Sequence, residues 1–233
     1  MDRNLRIAVC GMKGRMGRAV IAEIEKSDGL LFAGGADIGT SAESFAELLG
    51  NADAVIDFSA KDASPVYAEQ CAKAGLPFLC GVTGLSPEQL NVLKEAGNKI
   101  PVLWSPNMSL AVNLSMAVCA YMAKKLPGFD IHINEIHHTA KKDSPSGTAL
   151  NYAAAIKKAA GIMPSMTSIR IGGETGTHSV YFGGPYETLE ITHRAGNRAL
   201  FASGALFAVR WLAAQKPGFY KFADILNISE LGI

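Results

Sequence analysis

The first hundred residues alternate between short apolar runs and longer segments rich in helix-forming residues. Residues 5–10 form the first apolar run, and residues 18–26 form the first predicted helix. Further strands are predicted at 30–37, 52–59, 76–80 and 101–104, and further helices at 65–74 and 87–98. Such alternation is typical of a parallel sheet with right-handed helical crossovers. The pattern therefore predicts an α/β domain.

The pattern changes near residue 107. Helices are predicted at 113–125, 149–160 and 198–215, strand-like runs at 130–136, 168–171, 178–182 and 188–193, and a further turn at 220–226. Glycine-rich turns separate the later runs, which favours an antiparallel or mixed sheet. The sequence thus predicts a first domain at residues 1–107 and a smaller α+β domain at residues 108–207.

Charge and composition argue against several classes of function. The 233 residues carry a formal net charge of +1 without a basic run, so nucleic acid is not the expected partner. No apolar run reaches the roughly 18 residues of a membrane span, and residues 1–6 lead into the first strand without a signal-peptide pattern. The cysteines Cys10, Cys71, Cys80 and Cys119 lie in apolar segments, so we expect free thiols in a reducing cytoplasm.

A glycine-rich turn follows the first predicted strand. It has the sequence Gly11-Met12-Lys13-Gly14-Arg15-Met16-Gly17, and the second strand ends at Asp37. Glycines allow a tight turn and close approach of the backbone to a pyrophosphate at the helix N-terminus, and an acid after the second strand can bind ribose hydroxyls. The spacing is G-x-x-G-x-x-G rather than G-x-G-x-x-G, so an ordinary tight βα turn is the alternative to dinucleotide binding.

Other polar segments follow the later strands of the same predicted sheet. They are Phe58-Ser59, Gly81-Val82-Thr83 and Ser105-Pro106-Asn107-Met108. Ligands of open parallel sheets bind beyond the carboxyl ends of the strands. The convergence of these segments with the glycine turn and Asp37 strengthens the prediction of a dinucleotide site.

A second polar cluster lies between the strand at 130–136 and the helix at 149–160. It contains His137, His138 and Lys141, and it ends in Ser146-Gly147-Thr148 at the predicted start of the helix. Histidine titrates near neutral pH, lysine can bind an anion or donate a proton, and the amides of a helix N-terminus suit a carboxylate or phosphate. The cluster indicates an anionic substrate whose reaction needs a proton. A polar loop with two solvated histidines is the alternative.

The segment His137-His138-x-x-Lys141-x-Asp143-Ser144-Pro145-Ser146-Gly147-Thr148 resembles the signature of the 4-hydroxy-tetrahydrodipicolinate reductase family, also called dihydrodipicolinate reductases. The resemblance covers essentially the whole chain. Other similar segments, in the same order, are the glycine turn, 57–59, 81–84, 105–110 and 189–193.

The resemblance implies a Rossmann-like domain that binds NADH or NADPH and a smaller domain that binds substrate and forms a homotetramer. It also implies that the tail, about 208–233, returns to the first domain. The implied substrate is a cyclic imine with two carboxylates, on the diaminopimelate route to lysine. Loss of water and hydride reduction would give tetrahydrodipicolinate.

The resemblance also assigns individual residues. His137 matches a proton donor/acceptor, and Lys141 matches a proton donor. His138, Gly147 and Thr148 match substrate contacts. The matched cofactor contacts are Gly11, Met12, Lys13, Gly14, Arg15, Met16, Asp37, Gly81, Val82, Thr83, Ser105, Pro106, Asn107 and Met108.

Two departures from the family pattern are visible. Ile38 stands where the family often has a basic residue, and the linker before Arg170 is shorter than in longer members. The Asp37 carboxylate repels a 2′-phosphate and Ile38 offers no compensating charge, so we expect a modest preference for NADH. Lys13 and Arg15 complicate this expectation, because either side chain can reach toward such a phosphate.

Several other polar residues are not assigned to either of the two predicted sites. Lys142 is expected to be solvated, His132 and His193 to be structural, and the role of His178 is left open. A metal at His137-His138 is not expected, because adjacent residues of an extended chain point in opposite directions and no partner cluster is evident.

The rival functions are an aldehyde dehydrogenase with a catalytic cysteine and a dinucleotide sensor without catalysis.

Overall fold

The computed structural model describes residues 4–227, which divide into two compact units. The first unit comprises residues 4–109 and 198–225, and the second comprises residues 110–197 with 226–227. The end of the predicted returning tail, residues 228–233, lies outside the described residues. Across residues 4–227, every helix is too short or too polar to span a membrane.

The strands and helices follow one another in the predicted alternation. The strands are β1 (Leu5–Cys10), β2 (Leu30–Ala36), β3 (Ala54–Asp57), β4 (Phe78–Cys80), β5 (Pro101–Trp104), β6 (Asp130–His137), β7 (Ser165–Arg170), β8 (Thr177–Gly183), β9 (Thr188–Arg194) and β10 (Gly218–Tyr220). The helices are α1 (Arg15–Ile24), α2 (Ala42–Gly50), α3 (Ser64–Ala74), α4 (Pro87–Ala96), α5 (Leu110–Lys125), α6 (Gly147–Ala160), α7 (Ala199–Leu212) and α8 (Phe222–Ile225).

The first unit contains a parallel sheet with the strand order β10-β5-β4-β3-β1-β2. β3 and β4 are buried along their whole length, as expected of strands covered on both faces. The winding reverses between β1 and β3, because β2 lies on one side of β1 and β3 on the other. Such a switch point leaves a crevice at the carboxyl ends of the two strands, where ligands bind in this class of sheet.

Two elements of the first unit are absent from the sequence prediction. Helix α2 begins after Ser41, whose hydroxyl accepts a hydrogen bond from the Ser44 N–H at 3.2 Å, and it buries Phe45 and Leu49. Strand β10 pairs with β5, where the sequence predicted only a turn at 220–226. A strand of three residues is too short for a period-two pattern to be recognised.

The second unit contains a mixed sheet with the strand order β7-β6-β8-β9. β6 and β7 are parallel, and the other pairs are antiparallel. Ile131 and Ile133 of β6 pair with Phe182 and Val180 of β8, and these four side chains pack in one core with residues of α5 and α6 such as Tyr152. The face of the sheet that carries them is called the inner face below.

The predicted fold class, a Rossmann-like α/β domain with a smaller α+β domain, is confirmed. Some element boundaries differ from the prediction. Helix α1 begins at Arg15 rather than at residue 18, because Gly14 has the extended conformation of an N-cap. Strand β7 begins at Ser165 rather than at residue 168, because the whole segment pairs with β6.

Candidate active site

Near the end of β6, the inner face of the sheet carries polar residues instead of apolar ones. Glu135 and His137 continue the alternation of Ile131 and Ile133, so all four side chains lie on the same face. Glu135 is fully buried, and His137 is 8% exposed. The register places Arg170 of β7 opposite His137 and His178 of β8 opposite Glu135. A row of charged and titratable groups therefore crosses the sheet beyond the apolar core.

Glu135 is the centre of a dense hydrogen-bond network. Arg170 donates from Nη1 to Oε2 at 3.0 Å and from Nη2 to Oε1 at 2.8 Å. The Ser146 N–H donates to Oε1 at 3.3 Å, and His137 Nδ1 bonds to Oε2. Burial alone would raise the pKa of Glu135, but hydrogen bonds from Arg170, Ser168 and His137 lower it to about 2. Glu135 is therefore a buried carboxylate at neutral pH.

The environment of His137 favours the neutral imidazole. Burial lowers its pKa below the usual value, and the Glu135 carboxylate opposes this effect. The positive charges of Lys141 and Arg170 lower the pKa further. His137 thus combines a hydrogen bond to an acid with a neutral ring near pH 7, which suits a group that accepts a proton and releases it again.

His178, whose role the sequence left open, lies beside His137. Their ring centroids are 5.1 Å apart, and Nε2 of His178 forms a hydrogen bond with Ser146 Oγ at 3.0 Å. Burial is the main reason why the pKa of His178 falls to about 4. Its Nδ1 is buried without a hydrogen-bond partner among residues 4–227. His178 is therefore a neutral neighbour of the site.

Lys141 lies on the loop that connects β6 to α6. Its Nζ donates to Asp143 Oδ1 at 2.8 Å, and the Asp143 carboxylate also accepts a hydrogen bond from the Gly147 backbone. Arg170 Nη2 donates to the Asp143 carbonyl oxygen at 2.7 Å, which ties this loop to β7. Helix α6 begins at Gly147, and the Ser146 hydroxyl caps it by accepting from the Ala149 N–H at 3.2 Å. The loop thus brings a lysine to the positive end of a helix.

The other histidines and Lys142 are less closely connected to this cluster. His138 is half-buried and follows His137 on the opposite side of the chain, and Lys142 is exposed. His132 is hydrogen-bonded to Ser165 and Thr167, and His193 pairs with His178 across β8 and β9.

The expectation that no partner cluster accompanies His137 is wrong. Ligand atoms of Glu135, His137 and His178 lie within 4.8 Å of one another, a spacing that suits a metal ion. However, Glu135 already accepts hydrogen bonds from Ser146, Ser168 and His137 and two from the cation Arg170. An ion bound there would have to displace these donors, so the arrangement fits a proton-handling network better than a metal site.

The glycine loop, residues 11–17, lies at the switch point of the parallel sheet. A Cβ atom on Gly11 would stand 2.6 Å from the Phe58 carbonyl oxygen, and the backbone of Gly11 has a φ of +78°. A Cβ atom on Gly17 would stand 2.1 Å from the Gly11 carbonyl oxygen. Side chains are excluded at both positions, so the turn brings its backbone close to the start of α1, as a pyrophosphate site requires.

Asp37 holds the glycine loop in place. Its Oδ2 accepts a hydrogen bond from the Lys13 N–H at 2.7 Å, and its Oδ1 accepts one from the Ile38 N–H at 2.9 Å. These backbone hydrogen bonds lower the pKa of Asp37. Each carboxylate oxygen keeps a second acceptor position, so Asp37 can still accept hydrogen bonds from ribose hydroxyls.

The other predicted cofactor residues follow β4 and β5 at the same edge of the sheet. A Cβ atom on Gly81 would stand 2.2 Å from the Phe58 ring, and the Val82 carbonyl oxygen accepts a hydrogen bond from Trp104 Nε1 at 3.0 Å. Ser105 Oγ donates to the Asn107 carbonyl oxygen at 2.6 Å. Met12 lies against Gly35, whose missing side chain leaves room for it. The further members of this edge are Gly14, Arg15 and Met16 at the start of α1, Thr83 after β4, and Pro106 and Met108 after β5.

Two family models match this chain. "Dihydrodipicolinate reductase, N-terminus" matches residues 5–108, and "Dihydrodipicolinate reductase, C-terminus" matches residues 111–226. This chain belongs to the dihydrodipicolinate reductase family. The family resemblance inferred from the sequence is thereby confirmed.

Relatives in the dihydrodipicolinate reductase family match nearly the full length of the chain. The 4-hydroxy-tetrahydrodipicolinate reductase of Rhodopseudomonas palustris (strain BisA53) is 38% identical, with 97% of this chain and 98% of the relative covered. The enzyme of the same name from Archaeoglobus fulgidus is 37% identical, with 96% of this chain and 100% of the relative covered.

Solved structures agree with the fold of the family. A dipicolinate-bound dihydrodipicolinate reductase from Paenisporosarcina sp. TG-14 matches with a TM-score of 0.84 at 20% identity, covering 94% of this chain and 98% of that one. An amine dehydrogenase from Mycobacterium smegmatis matches less closely, with a TM-score of 0.64 at 12% identity, and the coverage is 93% and 94%.

Sequence reasoning missed two residues of the candidate site in this reductase. Glu135 was detectable, because it lies two residues before His137 and so shares its face of β6. In the sequence, Arg170 marks only the end of a linker. Its place opposite His137 follows from the parallel pairing of β6 with β7, and strand register cannot be obtained from the local sequence.

Proposed function

We propose that this protein reduces the cyclic imine derived from 4-hydroxy-tetrahydrodipicolinate to tetrahydrodipicolinate, with NADH or NADPH as the hydride source. The activity follows from membership of the reductase family, whose two parts match residues 5–108 and 111–226. The observation that carries the chemistry is the buried His137, held against the Glu135 carboxylate beside the loop of Lys141. Loss of water creates the conjugated imine, and hydride and proton then add across one double bond.

The first unit would bind the dinucleotide at the carboxyl edge of its sheet. The glycine loop, with Gly11 to Met16, supports the pyrophosphate through its backbone amides and the start of α1. Asp37 accepts hydrogen bonds from ribose hydroxyls, and residues 81–83 and 105–108 line the rest of the nucleotide. The nucleotide supplies hydride, and the protein fixes its position.

The second unit would bind the substrate and supply the proton. Lys141 and the first turn of α6, with Gly147 and Thr148, provide positive charge and amide groups for a carboxylate, and His138 adds a contact. Lys141 donates a proton, and His137 accepts and returns one. The relative from Paenisporosarcina holds dipicolinate, a small dicarboxylate, which is consistent with a dicarboxylate substrate here.

Assembly into a homotetramer through the second unit is also proposed. Helices α5 and α6 pack on the inner face of its sheet. The described part of this unit has no further helix to cover the outer face, where Ile169 is 43% exposed. Pairing with other copies would cover this face and the sheet edges. Light scattering at micromolar concentration tests this proposal, and a monomer would contradict it.

The rival with a catalytic cysteine is disfavoured by the state of the thiols. Cys10, Cys71, Cys80 and Cys119 are buried, and burial raises the pKa of Cys80 and Cys119 to about 12. A thiolate nucleophile needs a lowered pKa and access to the substrate. The buried free thiols also support the proposal of a reducing cytoplasm.

The decisive assay is oxidation of NADH or NADPH, followed by absorbance, with freshly generated pathway substrate. Substrate-dependent oxidation that persists after thiol alkylation supports the proposal. Tight nucleotide binding without turnover would support the sensor instead, and loss of turnover on alkylation would support the cysteine mechanism. His137→Asn serves as the matched control, because it should bind nucleotide normally and lose most of its turnover.

A further inference from the structure

The hydrogen bonds around Glu135 determine which nitrogen of His137 carries a proton. A carboxylate has about four acceptor positions. The donors to Glu135 include two N–H groups of Arg170, the Ser146 N–H and Nδ1 of His137, with Ser168 as a further donor. An ionised carboxylate has no proton to give, so Nδ1 must be the donor in its bond with Glu135. The neutral ring then carries its proton on Nδ1 and leaves the lone pair of Nε2 available.

The same ion pair also fixes the loop that follows β6. Arg170 Nη2 donates both to Glu135 Oε1 at 2.8 Å and to the Asp143 carbonyl oxygen at 2.7 Å. Glu135 Oε1 accepts from the Ser146 N–H, one residue before α6 begins. Lys141 lies within this loop. One buried carboxylate and one arginine therefore connect the strand of His137, the loop of Lys141 and the start of α6.

We propose that Glu135 and Arg170 are positioning residues of the reductase, which hold His137 as the Nδ1–H tautomer with Nε2 available to exchange the reacting proton. This rests on the role proposed above for His137. Neither residue is assigned contact with the substrate. Glu135 sets the tautomer and ring orientation, and Arg170 keeps Glu135 ionised and in place, in the way that a buried acid orients the histidine of other proton-transfer sites.

The charged groups around His137 predict the direction in which its titration shifts in each variant. Four charged or titratable groups face its ring, namely Glu135, Lys141, Arg170 and His178. The Glu135 carboxylate raises the pKa of His137, whereas Arg170 lowers it. Removing the charge of Glu135 should therefore move the titration of His137 to lower pH, and removing that of Arg170 should move it to higher pH. General loosening of the structure would not produce opposite shifts.

The experiment compares Glu135→Gln and Arg170→Gln with wild type in the full-length protein. The tautomer and titration of His137 are followed by ¹⁵N NMR of the imidazole, assigned with His137→Asn, and kcat/KM is measured against pH. We expect the Nδ1–H tautomer in wild type, opposite titration shifts in the two variants, and a fall in kcat on the order of 10²–10⁴-fold in Glu135→Gln. Nucleotide affinity should be unchanged.

Asp53→Asn is the matched control. Asp53 also binds an arginine through both oxygens, with Arg6 Nη2 at 2.8 Å and Arg6 Nε at 3.0 Å, but this pair lies in the first unit. The change from carboxylate to amide at Asp53 should leave the tautomer of His137 and the pH profile of kcat/KM as they are in wild type. If Arg170→Gln does not fold, Arg170→Lys retains the charge and should keep the Nδ1–H tautomer with a smaller loss of kcat.

The outcomes separate this inference from the proposed function. A wild-type His137 protonated on Nε2, or unshifted titrations in both glutamine variants, would overturn the positioning role even when the wild type turns over normally. The absence of wild-type turnover, or full activity in His137→Asn, would instead overturn the proposed function. The NMR measurement does not depend on turnover, so it tests the tautomer in either case.

Discussion

Nζ of Lys141 donates a hydrogen bond to Oδ1 of Asp143 at 2.8 Å, two residues further along the same loop. The Asp143 carboxylate also accepts from the backbone of Gly147, at the N-terminus of α6. An internal carboxylate therefore occupies the cation and amide groups that we assign to a carboxylate of the substrate. At the proposed site, a substrate carboxylate would compete with Asp143 for these groups.

Asp143→Asn should lower the KM of the dicarboxylate substrate by about two- to fivefold, because the competing charge at Lys141 is removed. The effect stays small since the Asp143 side chain is largely exposed, and exposed ion pairs contribute roughly 1 kcal/mol or less. Steady-state kinetics at low and high salt measure KM for wild type and Asp143→Asn, and the difference in KM between the two proteins should shrink at high salt. Asp62→Asn, at an exposed carboxylate of the first unit, should leave KM unchanged. An increase in KM for Asp143→Asn would show that Asp143 orients Lys141 rather than competing with substrate.

His137→Ala and Lys141→Ala should each lower kcat by about 10²-fold or more, the usual contribution of general acid–base catalysis. Nucleotide affinity should remain close to that of wild type, because the proposed nucleotide contacts lie in the first unit. Turnover and nucleotide titration are measured on the same preparations. Lys142→Ala removes an exposed neighbouring lysine and should retain wild-type kcat. Wild-type turnover in both variants at His137 and Lys141 would refute their assignment.

Gly176→Ala should lower kcat by about tenfold, because the new methyl group displaces the ring of His137. A Cβ atom at Gly176 would stand 3.0 Å from Nε2 and 3.2 Å from Cδ2 of that ring, and the backbone has a φ of +154°. Gly196→Ala is the matched control, since its Cβ would meet no atom within 4 Å. Comparison of kcat and of melting temperature separates displacement of the ring from general destabilisation. Equal kcat in Gly176→Ala and Gly196→Ala would exclude tight packing of Gly176 against Nε2 of His137.

Both nucleotides should support turnover, with NADH preferred modestly. Asp37 places a carboxylate at the proposed ribose site, and the next residue is the exposed Ile38 rather than a cation. The exposed Lys13 side chain can still reach a 2′-phosphate as a flexible charge. The test is kcat/KM for NADH and NADPH at one ionic strength, in wild type and in Lys13→Ala, which should lose NADPH activity selectively. A strong preference for NADPH that survives in Lys13→Ala would direct attention to Arg15.

Glu135 should make the second unit sensitive to acid. The folded-state pKa of about 2 lies below the ordinary value of 4.5, so the carboxylate stabilises the fold above pH 4.5 and loses this contribution as the pH falls toward 2. Glu135→Gln should be less stable than wild type at pH 7, by roughly 3 kcal/mol, because one partner of a buried ion pair is lost. Urea unfolding at pH 7, 4 and 3 should show this difference narrowing with acid. A difference that stays constant with pH would mean that Glu135 has the same pKa in the folded and the unfolded protein.

The alternation of apolar and polar residues was enough to predict the α/β domain, the second α+β domain and most element positions. The segment from His137 to Thr148 was specific enough to predict the family, and the glycine turn at 11–17 predicted the dinucleotide site. These features are local, since hydrophobic period, turn chemistry and motif spacing are contained in neighbouring residues. Helix α2 was within reach of the same reasoning, because Phe45 and Leu49 have helical spacing after the N-cap Ser41.

Only the tertiary structure placed Arg170 and His178 beside Glu135 and His137. The four residues come from three strands, and their contact depends on the parallel register of β6 with β7 and the antiparallel register of β6 with β8. A shift of one residue in either register would turn a partner to the opposite face. The local sequence of a strand contains its own alternation but not the identity or register of its neighbours. The chain by itself therefore predicted His137 and Lys141 as a proton-transfer motif, whereas strand pairing decided which charges surround His137 and supports our proposal of which ring nitrogen exchanges the proton.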